Sequence, residues 1–100
     1  MNRVNLTLDA ERDLDQIKLY LLDKAGIAVT RKVIASIHEA IKQIVGQPNL
    51  GHSRQDLTDR QLKFWAVYSY VIVYDPAARP IQIQRILHGK RDIISLLNRP

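Results

Sequence analysis

Two long amphipathic stretches stand back to back in the first half of this chain, and strand-like sequence follows them. Ala10, Leu14, Ile17 and Leu21 recur at spacings of four, three and four, which puts them on one face of a helix. Val33, Ile37, Ile41 and Ile44 repeat the pattern, flanked by Ile34 and Val45. Gly26 supplies a stop for the first stretch, and Gly46 with Pro48 ends the second. Two helices joined around one glycine form an antiparallel hairpin. With no strand between them, they cannot be successive crossovers of a parallel sheet. They must lie together on one face of the sheet that follows.

The remaining segments supply that sheet. Residues 3–8 alternate through Val4-Asn5-Leu6-Thr7-Leu8 and read as a short strand. Asp9 then stands as the expected N-cap of the first helix, with Glu11 and Asp13 suited to its positive end. Residues 46–60 are polar and turn-rich, a loop. Phe64 to Tyr74 is aromatic and β-branched, with Ser69 and Tyr70 near a turn between two strands or within one of them. Asp75 to Pro80 is a turn, and Ile81-Gln82-Ile83-Gln84 alternates as a strand with one buried face. After Gly89, the residues Ile93, Leu96 and Leu97 form the stripe of a short last helix. The predicted fold is α+β in two layers: an N-terminal strand, an antiparallel helical hairpin packed on a mostly antiparallel sheet, and a short C-terminal helix. One domain covers residues 1–100, with Leu14, Ile17, Ile37, Ile41 and Ile83 expected in its core.

Composition narrows the function classes. Hydrophobic residues at 46% and charged residues at 25% suit a folded domain and not a disordered one. With no cysteine, disulfides and thiol chemistry are excluded. Acidic residues and no apolar run follow Met1-Asn2-Arg3-Val4, so no signal peptide is expected. No run approaches the roughly 18 apolar residues of a membrane span, and the expected compartment is the cytoplasm. The net charge of +5 is uneven: residues 1–50 carry a net of +1 and residues 51–100 a net of +4. A basic surplus suits an acidic partner, protein or nucleic acid.

Catalytic and cofactor patterns are missing. His38, His52 and His88 lack metal-ligand spacing, so no metal is expected. The glycines are isolated and make no phosphate loop, and no cofactor is implied. Asp9, Asp13 and Asp15 sit where a helix start favours negative charge, and no serine has a nucleophile context. The dense polar cluster is Arg85-Ile86-Leu87-His88-Gly89-Lys90-Arg91-Asp92, where the last strand gives way to the last helix. Arg85, His88, Lys90 and Arg91 are the candidates for target binding. They could hold a phosphodiester, dock an acidic protein surface, or pair with an acid such as Asp92 or one on the first helix. Arg85 has the parity of Ile81 and Ile83, so either it is buried and paired or a bulge shifts the register. Alternation separates Trp65 from Phe64, Tyr68, Tyr70 and Tyr74. Most of this aromatic set is expected in the core; Trp65, Tyr68 and Tyr70 are the candidates for a partner-binding face.

Read together, four segments resemble the RelE/ParE superfamily of type II toxin–antitoxin systems. They are Ala10 with Asp13, Leu14 and Ile17; the loop Pro48-Asn49-Leu50-Gly51-His52-Ser53-Arg54-Gln55-Asp56-Leu57; the strand Tyr70-Val71-Ile72-Val73-Tyr74; and Ile83-Gln84-Arg85-Ile86-Leu87-His88-Gly89-Lys90-Arg91-Asp92. RelE-type members are ribosome-dependent messenger ribonucleases with an arginine in the middle strand, a tyrosine in the C-terminal segment and a second arginine before it. Arg91 matches the second arginine, but the other two positions fall on Val71 and Leu97. The Arg85-to-Gly89 stretch is more similar to the ParE branch, whose studied members poison DNA gyrase and have no identified catalytic set. The resemblance therefore implies a non-enzymatic toxin that inhibits gyrase. It also implies a small cognate antitoxin, ParD-like or other, whose C-terminal segment wraps the toxin; Trp65, Tyr68 and Tyr70 are the candidates for that contact. No sequence-specific DNA binding by the toxin itself is expected. The rival readings are a RelE-like ribonuclease using His88, Lys90 and Arg91, and a non-toxic interaction module.

Overall fold

The computed structural model describes residues 4–98. In chain order the elements are β1 (Val4–Leu6), α1 (Leu8–Lys24), α2 (Ile27–Gly46), β2 (Lys63–Val67), β3 (Tyr70–Asp75), β4 (Ile81–His88) and α3 (Ile93–Leu97). The four strands form one sheet in the order β1-β4-β3-β2. β1 runs parallel to β4, and the other two pairings are antiparallel. This is the expected α+β arrangement. The first strand was expected from residue 3, which lies outside the described residues.

The helical hairpin forms as its periodicity predicts. Ala10, Leu14, Ile17 and Leu21 of α1 are buried, as are Val33, Ile37, Ile41 and Ile44 of α2. These side chains pack with Tyr70, Ile72, Tyr74, Ile81, Ile83 and Ile86 from the sheet. The joint between the helices is only Ala25–Gly26. Both amides donate to the Leu21 carbonyl, at 2.8 and 3.0 Å. Gly26 sits at φ +86°, a conformation that costs an L side chain on the order of 1–2 kcal/mol.

The start of α1 corrects the sequence reading. Its N-cap is Thr7, not Asp9, and Leu8 is the first helical residue rather than the end of the strand. The Thr7 hydroxyl accepts from the Ala10 amide at 3.0 Å and donates to the Gln84 carbonyl at 2.7 Å. A hydroxyl can do both at once, whereas an ionised carboxylate only accepts. Thr7 therefore closes the helix and the strand edge with one atom.

The opposite face of the sheet is not bare, so the structure adds a partial third layer to the expected two. Leu62, Phe64, Val73, Leu87, Ile93 and Leu97 form a second buried cluster beneath α3. The loop before β2 is tied to it. The Thr58 hydroxyl donates to Asn98 Oδ1 at 2.9 Å, and Asn98 Nδ2 donates to the Leu57 carbonyl at 2.7 Å. On the hairpin side, the fully buried Tyr74 hydroxyl donates to the Pro48 carbonyl at 2.7 Å and accepts from the Gly51 amide at 2.9 Å. Burial holds the Tyr74 phenol above its ordinary pKa, in its neutral form, with the Gly51 hydrogen bond opposing that shift.

The aromatic grouping also differs from simple alternation along the chain. Phe64 pairs with Val73, Trp65 with Ile72 and Val67 with Tyr70. Across this hairpin, even positions of β2 face odd positions of β3. Trp65 therefore packs on the side of Tyr70 and Tyr74, while Phe64 belongs to the second cluster.

Candidate functional site

The site begins at the edge of β4. β1 stops pairing at Leu6, opposite Ile83, and leaves the outer edge of β4 uncovered beyond that point. Side chains from the start of α1 take over. Thr7 serves the Gln84 carbonyl, and Asp13 Oδ2 accepts from the Ile86 amide at 3.0 Å. The same carboxylate receives Arg85 through two bonds, Nε to Oδ2 at 2.8 Å and Nη2 to Oδ1 at 2.9 Å. Asp13 is 7% exposed, and the Arg85 side chain 18%. The hydrogen bond to Asp13 is the main reason the Arg85 guanidinium is held above its usual pKa; burial works in the other direction.

Arg85 is paired but half-buried rather than buried, and a bulge shifts the register beside it. In the β3–β4 pairing Val73 faces Arg85 and Tyr74 faces Ile83, so Gln84 is an extra residue on β4. The bulge turns Ile86 to the hairpin side and Leu87 to the other. Arg85, displaced from the apolar rows, reaches round to α1. A sequence signal for this pair existed: Asp13 follows Ala10 by three on the apolar face of α1, and Arg85 continues the apolar parity of β4. Two opposite charges in slots meant for apolar side chains suggest a buried pair.

This pair lies in the wall of a cleft of ≈ 590 Å³ between α1, β4 and α3. Four arginines border it, Arg12, Arg60, Arg85 and Arg91, against Asp9 and Asp13. Arg12 and Arg60 were not among the sequence candidates. Nothing in their local sequence sets them apart, and only the fold brings them beside Arg91. Arg60 Nη2 donates to Gln84 Oε1 at 3.4 Å.

The other candidates gather at one end of the sheet. Lys90 and Arg91 are exposed, as expected. His88 is half-buried rather than exposed: its ring meets Tyr70 edge-on with centroids 5.5 Å apart, and its Nδ1 accepts from the Lys90 amide at 3.1 Å. Tyr70 is 7% exposed, and burial first, then Tyr20, raises its phenol pKa. Trp65 is half-buried, stacked on His52 at 6.1 Å. Tyr68 is 59% exposed at the β2–β3 turn and has a positive φ of 55°. Such a conformation is uncommon for a bulky side chain and marks stored strain. The Gly89 amide donates to the Ser69 carbonyl at 2.8 Å, which ties this turn to the segment carrying Lys90 and Arg91. Tyr68 and Tyr70 thus share one end of the sheet with His88, Lys90 and Arg91, while Trp65 lies mid-strand beside His52.

Val71 is half-buried on β3, and Leu97 is 5% exposed in the second core cluster. Among the described residues no group of three His, Cys, Asp or Glu side chains is placed to hold a metal ion. No described helix is long and apolar enough to cross a membrane. Residues 4–93 match the family model described as the ParE toxin of the type II toxin–antitoxin system, parDE. Among solved structures the fold is similar to a chain of the chromosomal ParDE TA system from P. aeruginosa, with a TM-score of 0.73 and 22% identity. That match covers 88% of this chain and 96% of the other. No curated protein matches the chain.

Proposed function

The chain belongs to the ParE toxin family of type II toxin–antitoxin systems, and from that premise we propose that it arrests growth in the cytoplasm by binding DNA gyrase, and that a ParD-like antitoxin neutralises it. The observation that carries the non-catalytic part is the pair Val71 and Leu97. A ribonuclease of the related RelE type would use an arginine and a tyrosine there; these side chains can neither bind a phosphate by hydrogen bonds nor move a proton. The target-binding surface is Lys90 and Arg91 with the accessible edge of His88, and Arg85 supports it from the Asp13 pair. Charges that lose water in an interface can dominate affinity while adding little to folding.

The antitoxin reading rests on exposed aromatic and apolar side chains. Tyr68 is the accessible anchor of the aromatic set, with Tyr70 next to its turn and the half-buried Trp65 further along β2. Leu19, Tyr20, Leu22, Ile27 and Val29 are exposed on the hairpin and add an apolar surface of the kind a partner segment covers. Because Tyr68 and Lys90 lie at the same end of the sheet, an antitoxin seated on one obstructs the other.

Expression of the chain without an antitoxin, with parallel readouts of growth, DNA-damage response, gyrase supercoiling and messenger cleavage, tests the proposal. Arrest with a damage response and inhibited supercoiling is expected. The double variant Lys90→Ala/Arg91→Ala should melt like the parent and lose arrest. Ribosome-dependent cleavage that disappears in Arg91→Ala would sink the reading.

A further inference from the structure

The cleft between α1, β4 and α3 holds more positive charge than the fold uses. Its four arginines against two aspartates leave an excess of two charges. Arg85 is committed to Asp13. Among the described residues Arg12, Arg60 and Arg91 form no salt bridge. They come from three separate parts of the chain and border one space of ≈ 590 Å³, with the polar side chains of Thr7, Gln16 and Gln84 beside them. That volume lies within the range of sites that enclose a small ligand. Leu96, half-buried, adds an apolar wall.

We propose that this cleft is a phosphate-binding site for a nucleotide unit, whose phosphate oxygens lie between Arg12, Arg60 and Arg91 and whose base or sugar rests toward Leu96. Guanidinium forks match phosphate oxygens two at a time, and three of them suit the spread charge of a phosphodiester or polyphosphate. The Asp13–Arg85 pair forms the rigid wall and is itself neutral. Asp9 is the remaining carboxylate at the rim, and it limits the attraction to ligands that engage the arginines directly. The unit can come from a nucleic-acid strand or from a free nucleotide. No cleavage is part of this proposal, and it does not depend on the gyrase reading.

The test uses the full purified chain. Fluorescence anisotropy with a labelled mixed-sequence single-stranded oligonucleotide gives affinity over a salt series. For a single strand the log–log slope is about −0.7 per neutralised phosphate, so one phosphate held by the three arginines gives roughly −0.7. Each of Arg12→Gln, Arg60→Gln and Arg91→Gln should weaken binding several-fold at low salt, and the triple variant should abolish the salt dependence. Lys32→Gln and Lys42→Gln, on α2, should leave it unchanged. Displacement of the oligonucleotide by ATP or pyrophosphate assigns the site to a free nucleotide; competition by unlabelled strand alone assigns it to nucleic acid. Three results overturn the proposal: no binding at low salt, an equal loss in the two lysine variants, or preferential displacement by a glutamate-rich peptide. None of the three arginines belongs to either core cluster, so melting curves of the variants should overlay the parent. Gyrase supercoiling, read on Arg12→Gln and Arg60→Gln, which lie outside the proposed target-binding surface, keeps failure of this site distinct from failure of the toxin reading.

Discussion

Replacing Asp13 by alanine removes three hydrogen bonds at once, two from Arg85 and one from the Ile86 amide. The Ile86 N–H lies at the β4 edge past the end of β1, and its loss of an acceptor costs about 1–3 kcal/mol. Arg85 loses its counter-charge while its side chain is 18% exposed. Breaking a fully buried pair costs about 3–5 kcal/mol, and some movement of Arg85 into the cleft lowers that figure. The two terms overlap, and Asp13→Ala should destabilise the protein by about 3–4 kcal/mol, a large share of the ~5–15 kcal/mol typical of a domain. Asp13→Asn keeps an acceptor for Ile86 and should cost less. Urea unfolding followed by circular dichroism on Asp13→Ala, Arg85→Ala and the double variant gives the coupling. The double should cost less than the sum of the singles by about 1–3 kcal/mol, because no charge is left unpaired. A loss under about 1 kcal/mol for Asp13→Ala, or strict additivity, would refute the claim that this pair closes the strand edge.

Four further outcomes are expected. Ile37→Ala and Ile41→Ala, at side chains 0% and 5% exposed, should each cost about 2–5 kcal/mol in urea unfolding, and a smaller loss would place the helix face wrongly. In Gly51→Ala the new Cβ would stand 2.8 Å from the Tyr74 hydroxyl and 3.0 Å from the Phe64 carbonyl. It should cost about 1–3 kcal/mol by overpacking, and Tyr74→Phe a similar amount by leaving the Gly51 amide unpaired; parent-like midpoints would dismiss the anchor. Tyr68→Asn, with a residue that tolerates positive φ, should gain up to about 1 kcal/mol while weakening antitoxin binding, and a destabilised variant would contradict the strain argument. Hydrogen bonds from the Ser95 side chain and amide lower the Asp92 carboxyl pKa, so its contribution to α3 is present above the ordinary carboxylate value and is lost as pH falls through the lowered one. Ser95→Ala should move that titration upward in NMR, and an unmoved midpoint would remove the cap from the account.

The aromatic and charged candidates show where sequence reasoning stopped. Lys90 and Arg91 were legible because a polar run after a strand has no core to enter. Tyr70, expected in the core and also a candidate for a partner face, is 7% exposed, because a two-residue turn at Tyr68–Ser69 sets which side of the sheet it takes. Local pattern favours Asp9 as the cap, whereas Thr7 takes the position with a hydroxyl that also reaches the Gln84 carbonyl, far along the chain. Arg12 and Arg60 carry no local mark at all. They become notable only when α1 and the loop before β2 meet beside Arg91.

Periodicity by itself determined the helical hairpin, its buried faces and the order of helices before strands, because those patterns depend on neighbours within two turns or two strand positions. It also determined the apolar residues at Val71 and Leu97, which no folding can turn into proton donors. Only the tertiary structure decided the bulge at Gln84, the pairing of Asp13 with Arg85 across 72 residues, the second core under α3 and the arginine cleft. A bulge is chosen by which rows of side chains fit two cores at once, and a salt bridge by which charges the sheet edge brings within reach. Both are settled by contacts between segments that have no sequence proximity to record them.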